Sequence, residues 1–135
     1  MFSNKKTIVA ALGSLIIVMG FAGILSAKPS GGILDGQTYT VKVWVEGDTK
    51  TNPDNLSFKN GKFFSTDCEQ WGFKSAAYSA TKHTGHIDFE VKATSAKEGT
   101  VHWKGKVDNK GIKGSFLWTK KGQKDMTYLF EGKRK

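Results

Sequence analysis

Cysteine is nearly missing from this chain, with Cys68 alone among 135 residues. A lone thiol excludes a scaffold stapled by internal disulfides, so any fold must rest on a buried core. Proline is also scarce, at two residues, and 38% of the chain is hydrophobic. That balance excludes a disordered or low-complexity chain. Acidic residues are absent from the first 27 positions, where Lys5 and Lys6 are the only charges. No useful helical periodicity follows Gly32, and the length suffices for one domain. Multidomain enzymes and Rossmann-type cofactor proteins are thereby excluded. The chain also has no P-loop, no dinucleotide fingerprint and no Ser-His-Asp spacing.

What the N-terminus does contain reads as an export signal. Lys5-Lys6 precedes an uncharged run from Thr7 to Ala27 that ends in the small-residue site Leu25-Ser26-Ala27. Cleavage after Ala27 is expected. The 21-residue run is also long enough to span a bilayer, so an uncleaved membrane anchor is the alternative. Both readings put the remainder outside the cytoplasm, periplasmic or secreted, with the two lysines held inside. No cysteine ends the apolar run, which argues against a lipoprotein. After cleavage no transmembrane segment is expected. Residues 28–35 read as a flexible linker, 36–132 as the folded domain and 133–135 as a basic tail.

The domain alternates at period two, with turn residues between segments. Tyr39, Val41, Val43 and Val45 alternate with Thr40, Lys42, Trp44 and Glu46, and a polar loop from Gly47 to Asn55 follows, with Pro53 inside it. Asn60-Gly61 between Leu56–Lys59 and Lys62–Ser65 is the strongest hairpin signature, because both turn positions need φ > 0. Tyr78–Lys82 is a weaker strand ending at Thr84-Gly85, and Ile87, Phe89, Val91 and Ala93 mark the next. Val101 to Val107, Ile112 to Trp118 and Met126 to Phe130 complete eight strands. Short connections between them require antiparallel neighbours. The expected fold is all-β, an eight-stranded antiparallel meander barrel that leaves no open edge, with a small β-sandwich as the alternative.

Pairing the last hairpins locates the interior. Val107 opposite Ile112 sets Gly105 opposite Gly114, Trp103 opposite Phe116 and Val101 opposite Trp118. On the next strand Trp118 then meets Met126, Phe116 meets Tyr128 and Gly114 meets Phe130. One face therefore carries Trp103, Phe116, Trp118, Tyr128 and Phe130 around a glycine gap. Paired glycines leave room for a neighbour's ring, a sharp bend or a ligand. Core filling and a ligand niche are both consistent with the pattern.

Trp103-Lys104-Gly105-Lys106-Val107, followed by Ile112-Lys113-Gly114 and Trp118, resembles the calycin-like barrels that include lipocalins and avidins. Ser65, Thr66, Cys68, Gly72 and Phe73 are similar to a segment in a set of small exported bacterial proteins of unassigned function. The resemblance covers most of residues 35–132 and implies the barrel, without naming a ligand.

Three histidines and one thiol are the remaining chemical candidates. His102 falls beside Glu90 and Lys92, roughly 20 Å along the strand from His86. His83 and His86 flank the Thr84-Gly85 turn and read as solvent-exposed, with no carboxylate or cysteine at ligand spacing to complete a metal site. Asp88 and Glu90 read as a solvated outer face. Cys68 is expected to be buried and inert, paired with another chain, or reactive; Asp67 and Glu69 beside it disfavour a thiolate. No catalytic residues, metal or cofactor are expected, and an enzyme is the least favoured class. Lysines such as Lys104, Lys106 and Lys113 spread over the outer face keep strands soluble or attract an anionic envelope component. Nucleic acid is not an expected partner, because no stacking platform accompanies the basic face. Oligomeric state is left open.

The functional expectation is a non-catalytic exported binding protein. Its ligand would be small and apolar or amphipathic, held by Trp103, Gly105, Gly114, Phe116, Trp118 and Tyr128 with Trp71 and Phe73 as a lid, or its partner would be an anionic envelope component on the surface. The alternative is a structural or inhibitory interaction protein with a filled core that docks on another envelope protein.

Overall fold

Alternating β-branched and aromatic residues build eight strands: β1 Thr38–Val45, β2 Asn52–Lys59, β3 Lys62–Ser65, β4 Ala76–His83, β5 His86–Ser95, β6 Gly99–Asp108, β7 Gly111–Thr119 and β8 Met126–Arg134. One four-residue helix, α1 Thr66–Glu69, follows β3. The computed structural model describes residues 32–135. The expected signal peptide or anchor, and most of the expected linker, lie outside them. Each strand pairs antiparallel with its sequence neighbours, and β8 returns to β1 to close the barrel. The barrel expectation holds, and the sandwich does not.

Register follows the sequence pattern closely. Gly105 faces Gly114, Trp103 faces Phe116 and Val101 faces Trp118. Across the next ladder Phe116 faces Tyr128, and Gly114 faces Phe130. At the β2–β3 turn Asn60 has φ 53° and Gly61 φ 75°, the left-handed pair that the tight turn requires.

Two boundaries differ. The segment expected to be a polar loop up to Asn55 instead enters β2 at Asn52, with Pro53 opposite Lys42 of β1. β3 pairs with β2 only from Leu56 onward, so no β3 neighbour faces Pro53 to miss its N–H. At the domain ends, order begins before Gly36 and continues past Gly132. Leu34 is fully buried, and Asp35 accepts hydrogen bonds from the Gly32 and Gly61 amides and the Tyr78 hydroxyl. Lys133 and Arg134 belong to β8, opposite Thr40 and Tyr39, rather than to a free tail.

Candidate functional site

The inward side chains form a continuous aromatic column. Tyr39, Phe58, Phe63, Trp103, Phe116 and Tyr128 follow one another with ring centroids 4.2–6.3 Å apart, within or just below the usual range for favourable ring pairs. Trp103 is at its centre, 1% exposed, and also packs on Phe130 at 5.3 Å. The paired glycines have a physical reason in this packing. A Cβ on Gly105 would lie 2.5 Å from the Phe89 ring, and one on Gly114 would lie 2.2 Å from the Lys104 carbonyl. The glycine gap is therefore occupied by Phe89 and the tip of Phe130, and there the β6 and β7 backbones approach closely.

The expected ligand-binding residues divide into three groups. Trp103, Phe116 and Phe73 are core residues. Trp118 and Tyr128 are half-buried toward one end of the barrel, and the Trp118 indole N–H donates to the Glu98 carbonyl at 2.6 Å. Trp71 stands apart at 53% exposed. The segment read as a lid is tied down: Ser95 Oγ donates to the Trp71 carbonyl at 2.8 Å, and Trp71 and Phe73 amides both bond back to the Cys68 carbonyl. Phe73 faces the core while Trp71 faces solvent. Gly72 between them has φ 88°, which a side chain would strain.

The same end carries a polar cluster that joins Asp54, expected in a loop, to Ser65 at the end of β3. Ser65 caps α1 by accepting from the Cys68 amide at 3.2 Å and donates to Asp54 Oδ2 at 2.5 Å. Asp54 Oδ1 accepts from the Asn55 and Asp67 amides. Burial pushes the Asp54 carboxyl above its ordinary pKa despite these bonds. Burial, reinforced by the charges of Asp54 and Asp67, pushes the Cys68 thiol up to about 11. A thiol so protonated is a poor nucleophile, in keeping with the buried, inert alternative among those weighed for Cys68. A serine followed by Thr-Asp-Cys-Glu, with acids in the first turn, is an N-cap signature that could have revealed α1.

Across the outer faces of β1 and β5–β8 runs an open groove of about 710 Å³ that includes Trp44 and Leu129. Its lysines are interleaved with carboxylates. Lys106 is registered opposite Asp88, Lys104 opposite Glu90 and Lys113 opposite Glu131, while Lys106 and Lys113 also face each other across β6 and β7.

At the other end of the barrel the β4–β5 and β6–β7 turns, the start of β1 and the end of β8 surround a cavity of about 390 Å³. Here one expectation is corrected. A carboxylate does accompany the turn histidines: Asp88 Oδ2 lies 3.1 Å from His83 Nε2, and Oδ1 lies 3.4 Å from His86 Nε2. The two-residue turn sets His83 opposite His86, and period two puts Asp88 on the same outer face as His86. His102 sits elsewhere, 2.5 Å from Glu90, as its register implied.

Compared with family models, curated proteins and solved structures, the chain has no match.

Proposed function

We propose that this is a non-catalytic, exported interaction protein of calycin-like architecture, a filled barrel that presents its outer surface and rims to another envelope protein. The observation that carries the reading is the aromatic column from Tyr39 to Tyr128, which occupies the space a calycin-type ligand would need. With the interior taken, recognition falls to the outside. On the β5–β8 face, carboxylates opposite Lys104, Lys106 and Lys113 weaken the attraction for an anionic partner. Trp71 is the strongest anchor. It is a large aromatic, more than half exposed, on a loop fixed by Ser95 and α1, so docking it costs little ordering entropy.

Native mass spectrometry of the protein purified from its own envelope tests the reading. The expected species carry no small molecule, and any protein partner seen is lost in Trp71→Ala without a change in melting temperature. A co-purifying small molecule that is lost in Trp118→Ala would overturn the proposal in favour of a ligand in the barrel mouth.

A further inference from the structure

The turn end of the barrel holds a cluster that the interaction reading does not use. His83 and His86 close the β4–β5 hairpin as its last residue pair, their rings stacked at 4.8 Å and 17°. Asp88 stands two residues beyond His86 on the same face and reaches both rings with different carboxylate oxygens. We propose that His83, His86 and Asp88 form a binding site for a divalent first-row transition ion, with zinc as the reference case. This proposal stands independently of the one above.

Three observations carry it. The donor set is two imidazoles and one carboxylate, the borderline composition that suits zinc, copper or nickel rather than the all-oxygen shells of magnesium and calcium. The geometry is close to what such an ion needs. Metal bonds of about 2.0–2.1 Å set tetrahedral ligand atoms roughly 3.3–3.4 Å apart. The two histidine–carboxylate separations, 3.1 and 3.4 Å, run to different Asp88 oxygens, and with one ligand atom taken from each residue all three lie within 4.8 Å of one another. The support is rigid: all three residues sit on a tight hairpin, with Gly85 at φ 85° fixing the turn, so two of the ligands are held opposite each other by the backbone ladder.

Three protein ligands leave a fourth position for water or an added anion, as in open zinc sites. In the adjoining cavity Lys82, Lys110 and Arg134 outnumber the single carboxylate of Asp108. Their charge lowers affinity for a bare dication and favours a negatively charged fourth ligand. The His102–Glu90 pair provides an internal comparison, since it offers one imidazole and one carboxylate and, among the described residues, no third donor joins them in a cluster.

The test is calorimetric titration of zinc chloride into the full chain, produced without a histidine tag, followed by cobalt(II) substitution read in the visible spectrum. The expected result is one ion per chain, no binding of magnesium or calcium, and the intense visible bands of tetrahedral cobalt. His83→Ala and Asp88→Asn should each weaken zinc at least about tenfold, as loss of even an outer-shell partner commonly does, while His102→Ala should leave it unchanged. All three positions are solvent-accessible, and an unchanged melting curve confirms that each variant folds. Absence of saturable zinc binding, or binding equal in His83→Ala and the parent protein, would overturn the proposal.

Discussion

The wall built from β5 to β8 and the wall built from β2 to β4 hold the same barrel by different means. In the first, strands of nine or ten residues pair along nearly their whole length, and inward rings stack from strand to strand. In the second, β3 has four residues and meets β4 in only two residue pairs, Lys62↔Ala77 and Phe63↔Ala76. Polar side chains supply what that ladder lacks. Asp35 ties the β2–β3 turn to Tyr78 of β4 and to the segment before β1, and Asp54 ties β2 to Ser65 and α1. Regular ladders with a packed face need no such ties. A thin wall does, because its buried backbone and side-chain donors would otherwise lack partners.

The largest expected effect breaks the thick wall. Trp103→Ala removes the centre of the aromatic column and should cost about 3–5 kcal/mol in denaturant unfolding. Next, Asp54→Ala in the thin wall leaves the Ser65 hydroxyl and two backbone amides without their acceptor, and should cost about 1–3 kcal/mol. If Asp54→Ala costs as much as Trp103→Ala, or more, the ranking of the two walls is wrong.

A smaller, pH-dependent effect sharpens the comparison within the thin wall itself, because its two carboxylates are shifted in opposite senses. Burial raises the Asp54 pKa above its ordinary value of 3.8. Its contribution is therefore complete below that value and lost as pH rises through the folded pKa. For Asp35, partial burial opposes the anion, but the bonds from Gly32, Gly61 and Tyr78 outweigh it and hold its pKa below 3.8. Its contribution is present above 3.8 and lost as pH falls through the folded pKa. Urea midpoints measured across the acid range should show Asp54→Asn removing the loss on the rising side and Asp35→Asn the loss on the falling side. Both variants shifting the curve in the same direction would contradict the assignment.

The same contrast explains what could be read from the sequence. Between Val101 and Phe130, alternation, turn spacing and glycine pairing agree, and the resulting register is the one the structure has. Between Gly47 and Asn55 the cues conflict. Pro53 and the Asn-Pro-Asp-Asn run suggest a loop, yet those residues extend β2 where β3 is too short to need the proline's missing N–H. Asp54 is buried against Ser65 and α1, which lie 11 or more residues away in sequence, a relation that alternation does not carry. The His83–His86–Asp88 cluster was within reach, since a two-residue turn and period two suffice to assemble it. Core aromatics and pocket aromatics look alike in sequence. What distinguishes them here is Phe89 and Phe130 filling the space beside Gly105 and Gly114.

The central claim, that the barrel is filled, is tested most directly by melting the full chain with and without benzene, which stabilises proteins that hold an apolar cavity. The account predicts no shift for the parent protein and an upward shift for Trp103→Ala, whose missing indole opens a dry cavity among Phe63, Phe116 and Phe130. An upward shift in the parent protein would mean that the barrel is hollow and would contradict the account.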